Sequence, residues 1–129
     1  MPGCHVQPEQ MFNLIWGYNG QYQERAGDTS MPAGGADKDL TPVPAGQVWV
    51  VNCIWAKNDN RGCQVHLKVV CGANIHTLKY ETTPAAVAVS SITGAFVLKE
   101  GDFVRVTFAG LTLNDDCYWG ALGYKMVLS

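Results

Sequence analysis

The sequence has few charged residues and no long apolar run. Asp, Glu, Lys and Arg make up only 16% of its 129 residues, and the formal net charge is -2. Such a chain lacks the basic surface by which proteins bind nucleic acid. Its apolar runs are far shorter than the roughly 20 residues that a membrane-spanning helix needs. We therefore expect neither nucleic acid nor a membrane as a partner.

Signals for export and for a disulfide framework are also missing. Residues 1–12 lack the basic region and apolar core of a secretory signal. We therefore expect synthesis in the cytoplasm, and retention there unless a larger assembly carries the protein out. The cysteine count is odd and no Cys-x-x-Cys motif occurs, which favours reduced, buried thiols. The five cysteines are Cys4, Cys53, Cys63, Cys71 and Cys117.

Helical periodicity is absent from every segment of ten or more residues, whereas strand-like patterns recur after residue 40. Turn residues separate these patterns every 8–12 positions, the spacing of a sandwich or barrel. The sequence therefore predicts an all-β fold, an antiparallel, jelly-roll-like β-sandwich of about 7–8 strands. In two of the predicted strands apolar residues alternate: Val65, Leu67, Val69 and Cys71 share one face, and Val104, Val106 and Phe108 lie opposite Phe103, Arg105 and Thr107. The predicted strands after residue 40 are 47–56, 64–71, 75–80, 85–98, 103–108 and 117–128.

The segment 47–56 is apolar on both of its faces. Strict alternation groups Val48, Val50 and Ile54 against Trp49, Val51, Cys53 and Trp55. A strand of this kind is covered on both sides. We expect each side to be covered by a second sheet or by a neighbouring subunit.

Residues 1–40 differ in composition from the remainder of the chain. They hold 6 of the 14 glycines and 3 of the 6 prolines, and they contain one apolar run, at 11–16. We predict an extended N-terminal arm over 1–40, with one short strand at 11–16, and a sandwich domain over 41–129. The arm is expected to bind another protein, through Met11, Phe12, Leu14, Ile15, Trp16 and Tyr18.

Four potential zinc ligands lie close together in the sequence: Cys63, His66, Cys71 and His76. Their spacing is not that of a structural zinc site, and strand alternation places His66 opposite both Cys63 and Cys71. The pattern instead indicates a solvated His66 and a buried Cys71. We therefore predict no metal ion here.

The pair Asp115-Asp116 has two interpretations. Several oxygen ligands could bind calcium, or the carboxylates could accept hydrogen bonds from amides of a local turn, which is the simpler interpretation. Ser90-Ser91 and Cys63 lack the motifs of catalytic nucleophiles. We predict no catalytic residue, no metal and no cofactor, and hence a protein that is not an enzyme.

The tryptophans also allow two interpretations. Exposed tryptophans on a jelly roll could form a platform on which sugars stack. Alternatively Trp49, Trp55 and Trp119 pack in the core or at a subunit interface, which we favour for residues within strands. For Trp16 and Phe12 we favour contact with a neighbouring protein.

Two stretches carry a resemblance to a known family: PAGQVWVV at 44–51 and LKEGDFVRVTFAGL at 98–111. Over residues 42–128 the chain resembles the small jelly-roll-like β-sandwich proteins of tailed phages, which include head decoration or cement proteins and fibre domains. In the second stretch, Gly101 supplies a positive φ angle and Asp102 caps the turn.

The resemblance implies a virion structural protein made in the host cytoplasm. Its expected place is the capsid surface, where it would stabilise the head by binding adjacent subunits of the major capsid protein. Proteins of this type often form trimers, so we expect a homotrimer. The alternatives are a fibre or adaptor domain, a glycan-binding module, and a small sandwich enzyme or metalloprotein.

Overall fold

A computed structural model describes residues 18–127, which form eight β-strands and contain no helix. The predicted all-β sandwich is confirmed, and each strand predicted within residues 47–127 is present with ends shifted by a few residues. The strands are β1 (Tyr18–Asp28), β2 (Gly34–Asp39), β3 (Gln47–Asn58), β4 (Gln64–Cys71), β5 (Asn74–Thr82), β6 (Val89–Lys99), β7 (Phe103–Leu111) and β8 (Cys117–Val127). Over the same residues, nothing has the length and apolar character of a membrane-crossing helix.

The eight strands form two four-stranded antiparallel sheets. Sheet A has the order β1-β8-β3-β6, and sheet B has the order β2-β7-β4-β5. The pairing is nested, since the first strand bonds to the last, the second to the seventh, the third to the sixth and the fourth to the fifth. This arrangement is the eight-stranded jelly roll.

The first two strands correct the predicted boundary of the N-terminal arm. β1 pairs with β8 from Tyr18 to Asp28, and β2 pairs with β7, so both segments belong to the sandwich. Both are edge strands, and an edge strand bonded on one side tolerates the polar, glycine-rich composition that conceals it in the sequence. Residues 1–17, with the predicted strand at 11–16, lie outside the described residues.

The core lies between the two sheets and follows the predicted alternation in sheet B. In β4, Val65, Leu67 and Val69 are buried against sheet A, as predicted. In β7 the buried set alternates with Phe103, Arg105 and Thr107, again as predicted. Sheet A adds its large aromatic side chains to the same core.

β3 departs from strict alternation at a β-bulge. The register with β6 and β8 shifts between Val51 and Cys53, and the exposed Asn52 donates a hydrogen bond to the carbonyl oxygen of Gly94 (3.2 Å). A bulge inserts one residue and exchanges the faces beyond it. Ile54 therefore points into the core with Val51, and Cys53 and Trp55 point outward, so the predicted grouping of these three residues beyond the bulge is wrong.

The predicted turn before β7 is confirmed. Gly101 has a φ angle of 85°. The buried carboxylate of Asp102 accepts a hydrogen bond from the backbone N–H of Lys99 (3.1 Å). This bond gives the Lys99 N–H a partner at the β6–β7 turn. It also gives the buried carboxylate the hydrogen bond that a buried polar group requires.

The carboxylate of Asp115 joins three segments at one end of the sandwich. It accepts hydrogen bonds from the backbone N–H of Thr112 (2.9 Å), Nδ2 of Asn58 (3.0 Å) and Nε of Arg61 (2.8 Å). Only 1% of the Asp115 side chain is exposed, against 45% of Arg61. Burial alone would raise the pKa of Asp115, but these bonds and the guanidinium charge hold it below its usual value. The interpretation in which the Asp115 carboxylate accepts hydrogen bonds at a local turn is therefore correct for this residue.

Replacing Asp115→Asn should lower the free energy of unfolding by about 2–3 kcal/mol at neutral pH, because the buried donors lose a charged acceptor. The difference from wild type should vanish as the pH falls through the lowered folded-state pKa of Asp115. The reason is that protonation then removes the same charge from the wild type. Urea unfolding at a series of pH values measures both effects.

Asp116→Asn is the matched control for this prediction. Its side chain is half-buried, and it is the backbone N–H of Asp116 that donates to Asn60 (2.6 Å), so the change should stay within about 0.5 kcal/mol of wild type. Equal stability of the two variants at neutral pH would show that Asp115 does not hold this end of the sandwich.

Candidate functional site

The outer face of sheet B is polar. Arg105 and Asp39 form an ion pair (Nε–Oδ1 2.7 Å), and the Thr107 hydroxyl donates to Asp37 (2.6 Å). Next to them, the rings of His66 and Tyr80 pack edge to face with centroids 4.4 Å apart. The central strands of this face are therefore suited to contact with water, and its strongly exposed large apolar side chains, Ile75 and Tyr80, lie on the edge strand β5.

The outer face of sheet A is different, because its central strands project apolar side chains. Alternation and register place no Asp or Glu at an outward position of its four strands over the described residues. We call this surface the apolar face. Its apolar members are Val48, Val50, Cys53 and Trp55 of β3, Leu122, Tyr124 and Met126 of β8, and Val89 and Val97 of β6.

Several members of the apolar face are strongly exposed. Val97 is 65% exposed, Val89 is 55% exposed and Leu122 is 45% exposed. Val50 and Met126 are nearly inaccessible, although neither belongs to the core between the sheets. Exposed apolar side chains that share one sheet face and are bordered by polar residues are typical of a protein-interaction site.

Two aromatic rings lie on the same outer surface, each against a glycine of the adjacent strand. A Cβ atom on Gly120 would lie 2.8 Å from Nε1 of Trp55, and one on Gly27 would lie 2.5 Å from Cδ1 of Tyr118. The missing side chains therefore leave the space that the rings occupy.

Two cations flank the Tyr118 ring. The Arg25 guanidinium carbon lies 5.4 Å from the ring centroid and Nζ of Lys57 lies 5.3 Å from it. Lys57 also forms an ion pair with Asp59 (3.0 Å). Arg25 is exposed and is absent from the ion pairs of the described residues, so it is the more available cation at this end of the face.

Of the predicted partner-binding residues, Met11, Phe12, Leu14, Ile15 and Trp16 lie outside the described residues. Tyr18 begins β1, where its backbone is in register with Met126 of β8. The chain therefore enters the sandwich at the edge of sheet A, next to the apolar face. The proposed contact role of all six residues stays a prediction.

Two of the strand-borne tryptophans are in the core, as predicted. Trp49 and Trp119 are 3% and 5% exposed, and the Trp49 ring stacks on Tyr22 with centroids 4.5 Å apart. Neither can form a surface platform for sugars. Trp55 is half-buried on the outer surface, so it is the accessible tryptophan of the described chain.

The potential zinc ligands do not come together. Cys63 is buried in the core, whereas His66 lies on the outer face of sheet B beside Tyr80. Within residues 18–127 no three His, Cys, Asp or Glu side chains are grouped as metal ligands would be. Burial, and then the nearby Lys68, lower the pKa of His66, which keeps the imidazole neutral to lower pH.

Sequence reasoning did not single out Val97 and Leu122 as surface residues. The available signal was the segment 47–56, whose apolar residues on both faces predicted a covered outer surface. Register with β6 and β8 then extends this surface to Val97, which pairs with Val50, and to Leu122, which pairs with Cys53.

No protein-family description and no curated protein matches the sequence. One similar solved structure comes from work described as "Bacillus endospore appendages form a novel family of disulfide-linked pili". It has a TM-score of 0.47 and 13% identity over 84% of this chain and 89% of that chain. The Drosophila NLP-core structure has a TM-score of 0.38 and 14% identity over 83% and 98% of the two chains. Similarities this low carry no statement about function.

The alkylation rates of the cysteine thiols should show which of these residues a reagent in solution can reach. Burial raises the pKa of Cys117 to about 12, with Cys63 and nearby carboxylates adding to the effect, and burial also raises the pKa of Cys63. Both should stay protonated and resist alkylation at pH 8, while the half-buried Cys53 on the apolar face should react. Mass spectrometry after brief alkylation tests this expectation.

Denaturation in guanidinium supplies the control, since all three thiols should then react alike. If the apolar face binds a partner, addition of that partner should protect Cys53 alone. Labelling of Cys117 as fast as Cys53 in the native protein would contradict the burial assignment.

Proposed function

We propose that this chain is a structural protein of a phage virion, most specifically a capsid decoration or cement protein. It would bind adjacent major capsid subunits and copies of itself, and it would have no catalytic activity. The apolar face is the observation that carries the proposal, because a monomer would leave exposed side chains such as Val97 and Leu122 in water. The resemblance of 44–51 and 98–111 to phage sandwich proteins supports the virion assignment.

The contrast between the two outer faces supports a role in assembly. Both sheets have one face in the core. The outer face of sheet B pairs Arg105 with Asp39 in the body of the sheet. On sheet A the ion pair of Lys57 with Asp59 lies at one end of the face, and the outward side chains that β3 and β8 pair beyond it are apolar. Burying a large apolar side chain in an interface contributes about 1.5–3 kcal/mol. Several such residues together can offset the loss of translational and rotational freedom on association.

The segment 11–16 gives the proposal a second attachment point. It precedes β1, whose first residue is in register with Met126 at the border of the apolar face. Its predicted contact residues would bind a neighbouring capsid or decoration subunit while the sandwich faces the next one. A fibre or adaptor domain of the same virion, the alternative role, would use the same two surfaces.

Truncation of residues 1–17 tests the role of the segment. Because β1 begins at Tyr18, the truncated protein should keep the complete sandwich and unfold at a temperature close to that of the full chain. It should no longer bind virions of the phage that encodes it, as measured by co-sedimentation and electron microscopy. Occupancy of particles at the full-length level would contradict the attachment role.

Charge substitutions test the apolar face separately. Val97→Glu and Leu122→Glu should each weaken binding to virions by at least about tenfold, since an unpaired carboxylate is costly to bury in an interface. Both side chains are exposed in the isolated chain, so its thermal unfolding should change little.

Ile75→Glu is the matched control, because Ile75 is 52% exposed at the end of β5 in sheet B. It should bind virions as the wild type does. If all three variants bind equally, the apolar face is not the contact surface.

The expected homotrimer is tested by light scattering. Full-length protein should have three times the 14.0 kDa mass of the chain at micromolar concentration. A single-chain mass at all accessible concentrations would exclude the proposed trimer.

A further inference from the structure

We propose that the aromatic end of the apolar face, formed by Trp55, Tyr118 and Arg25, binds an acidic oligosaccharide, such as a chain of uronic acids. This inference goes beyond the structural role, and it does not depend on the virion assignment. It stands on residues of β1, β3 and β8 that the structure describes.

The two rings lie side by side on the outer surface, and we call them the aromatic floor. Trp55 of β3 lies over Gly120 of β8, and Tyr118 of β8 lies over Gly27 of β1, so both rings lean toward the same edge of sheet A. Both side chains are half-buried, as expected of rings with one side on the sheet and the other free. Tyr118 and Gly120 are two residues apart, about 7 Å along the strand, so the floor extends beyond one sugar ring.

This geometry matches the chemistry of a pyranose ring. One side of such a ring presents aliphatic C–H groups, which pack against the electron-rich face of an aromatic ring. Its hydroxyl groups lie around the rim and need polar partners. The register row that contains Trp55 supplies them, since Arg25 lies at one end of the row and the exposed Ser91 at the other.

The charges around the floor favour an acid over a neutral sugar. Lys57 is paired with Asp59, whereas Arg25 contacts the Tyr118 ring and is exposed. The described strands of this face project no Asp or Glu, and the carboxylate of Asp59, which lies beside Lys57, is held in that ion pair. A guanidinium binds a carboxylate through two parallel hydrogen bonds, which gives direction as well as strength.

The experiment compares tetragalacturonic acid with its methyl ester, which has the same sugar rings and no charge. Titration into the full-length protein is followed by calorimetry and by the indole N–H signals in NMR spectra. The acid should bind and shift the Trp55 indole signal, and added salt should weaken this binding. The ester should bind about tenfold more weakly.

Three variants locate the site. Trp55→Ala should weaken binding of the acid by at least about tenfold. Arg25→Gln should lower the affinity for the acid to the affinity that the wild type has for the ester. The affinity for the ester itself should stay unchanged. Tyr80→Ala is the matched control, because Tyr80 is an aromatic residue 56% exposed on the other sheet, and it should bind as the wild type does. Circular dichroism and thermal unfolding verify that the variants are folded.

Absence of binding by the acid, equal binding of acid and ester, or wild-type affinity in Trp55→Ala would each overturn the proposal. If Trp55→Ala instead abolishes attachment to virions while no sugar binds, these residues are part of a protein interface and the proposal is again wrong. Failure of the virion assignment leaves the sugar titration unaffected, so the two proposals fail separately.

Discussion

The structure depends on one constraint, which is that a two-layer sandwich can bury only one face of each sheet. β3 and β8 form the middle of sheet A, and both carry apolar side chains on their two faces. The inner set packs against sheet B, while Leu122 of β8 and Val97 of the neighbouring β6 remain strongly exposed on the outer face. On sheet B the strongly exposed large apolar side chains, Ile75 and Tyr80, belong to the edge strand β5 and not to the central strands. The outer face of sheet A is therefore the surface on which a partner would bury the most apolar area.

The details of sheet A determine the shape of that surface. The bulge at Asn52 turns Ile54 inward and Trp55 outward, which changes the membership of both faces at once. Glycines at 27 and 120 then let the Tyr118 and Trp55 rings lie on the strands in place of standing away from them. Without these three local features the outer surface would have a different set of side chains, and the two rings would not lie against the neighbouring strands.

Buried carboxylates in this domain are bonded by both local and distant donors. Asp115 accepts hydrogen bonds from Thr112 nearby and from Asn58 and Arg61 far away in the sequence, and Asp102 accepts one from the nearby N–H of Lys99. These carboxylates are structural because their oxygens are already used by protein donors. In the sequence alone, Asp115 was also compatible with a calcium site.

The sequence by itself determined the fold class, the strands from Gln47 onward and the buried faces of β4 and β7, because alternation and turn residues act over a few neighbouring positions. It also predicted a covered outer surface on 47–56. Only the tertiary structure decided that residues 18–39 join the sandwich, since the edge strands β1 and β2 carry little apolar signal and depend on bonds to β8 and β7. The tertiary structure also decided that Trp55 points outward and that Val97 pairs with Val50. A bulge and a register are properties of strands bonded to each other, and no single segment contains that information.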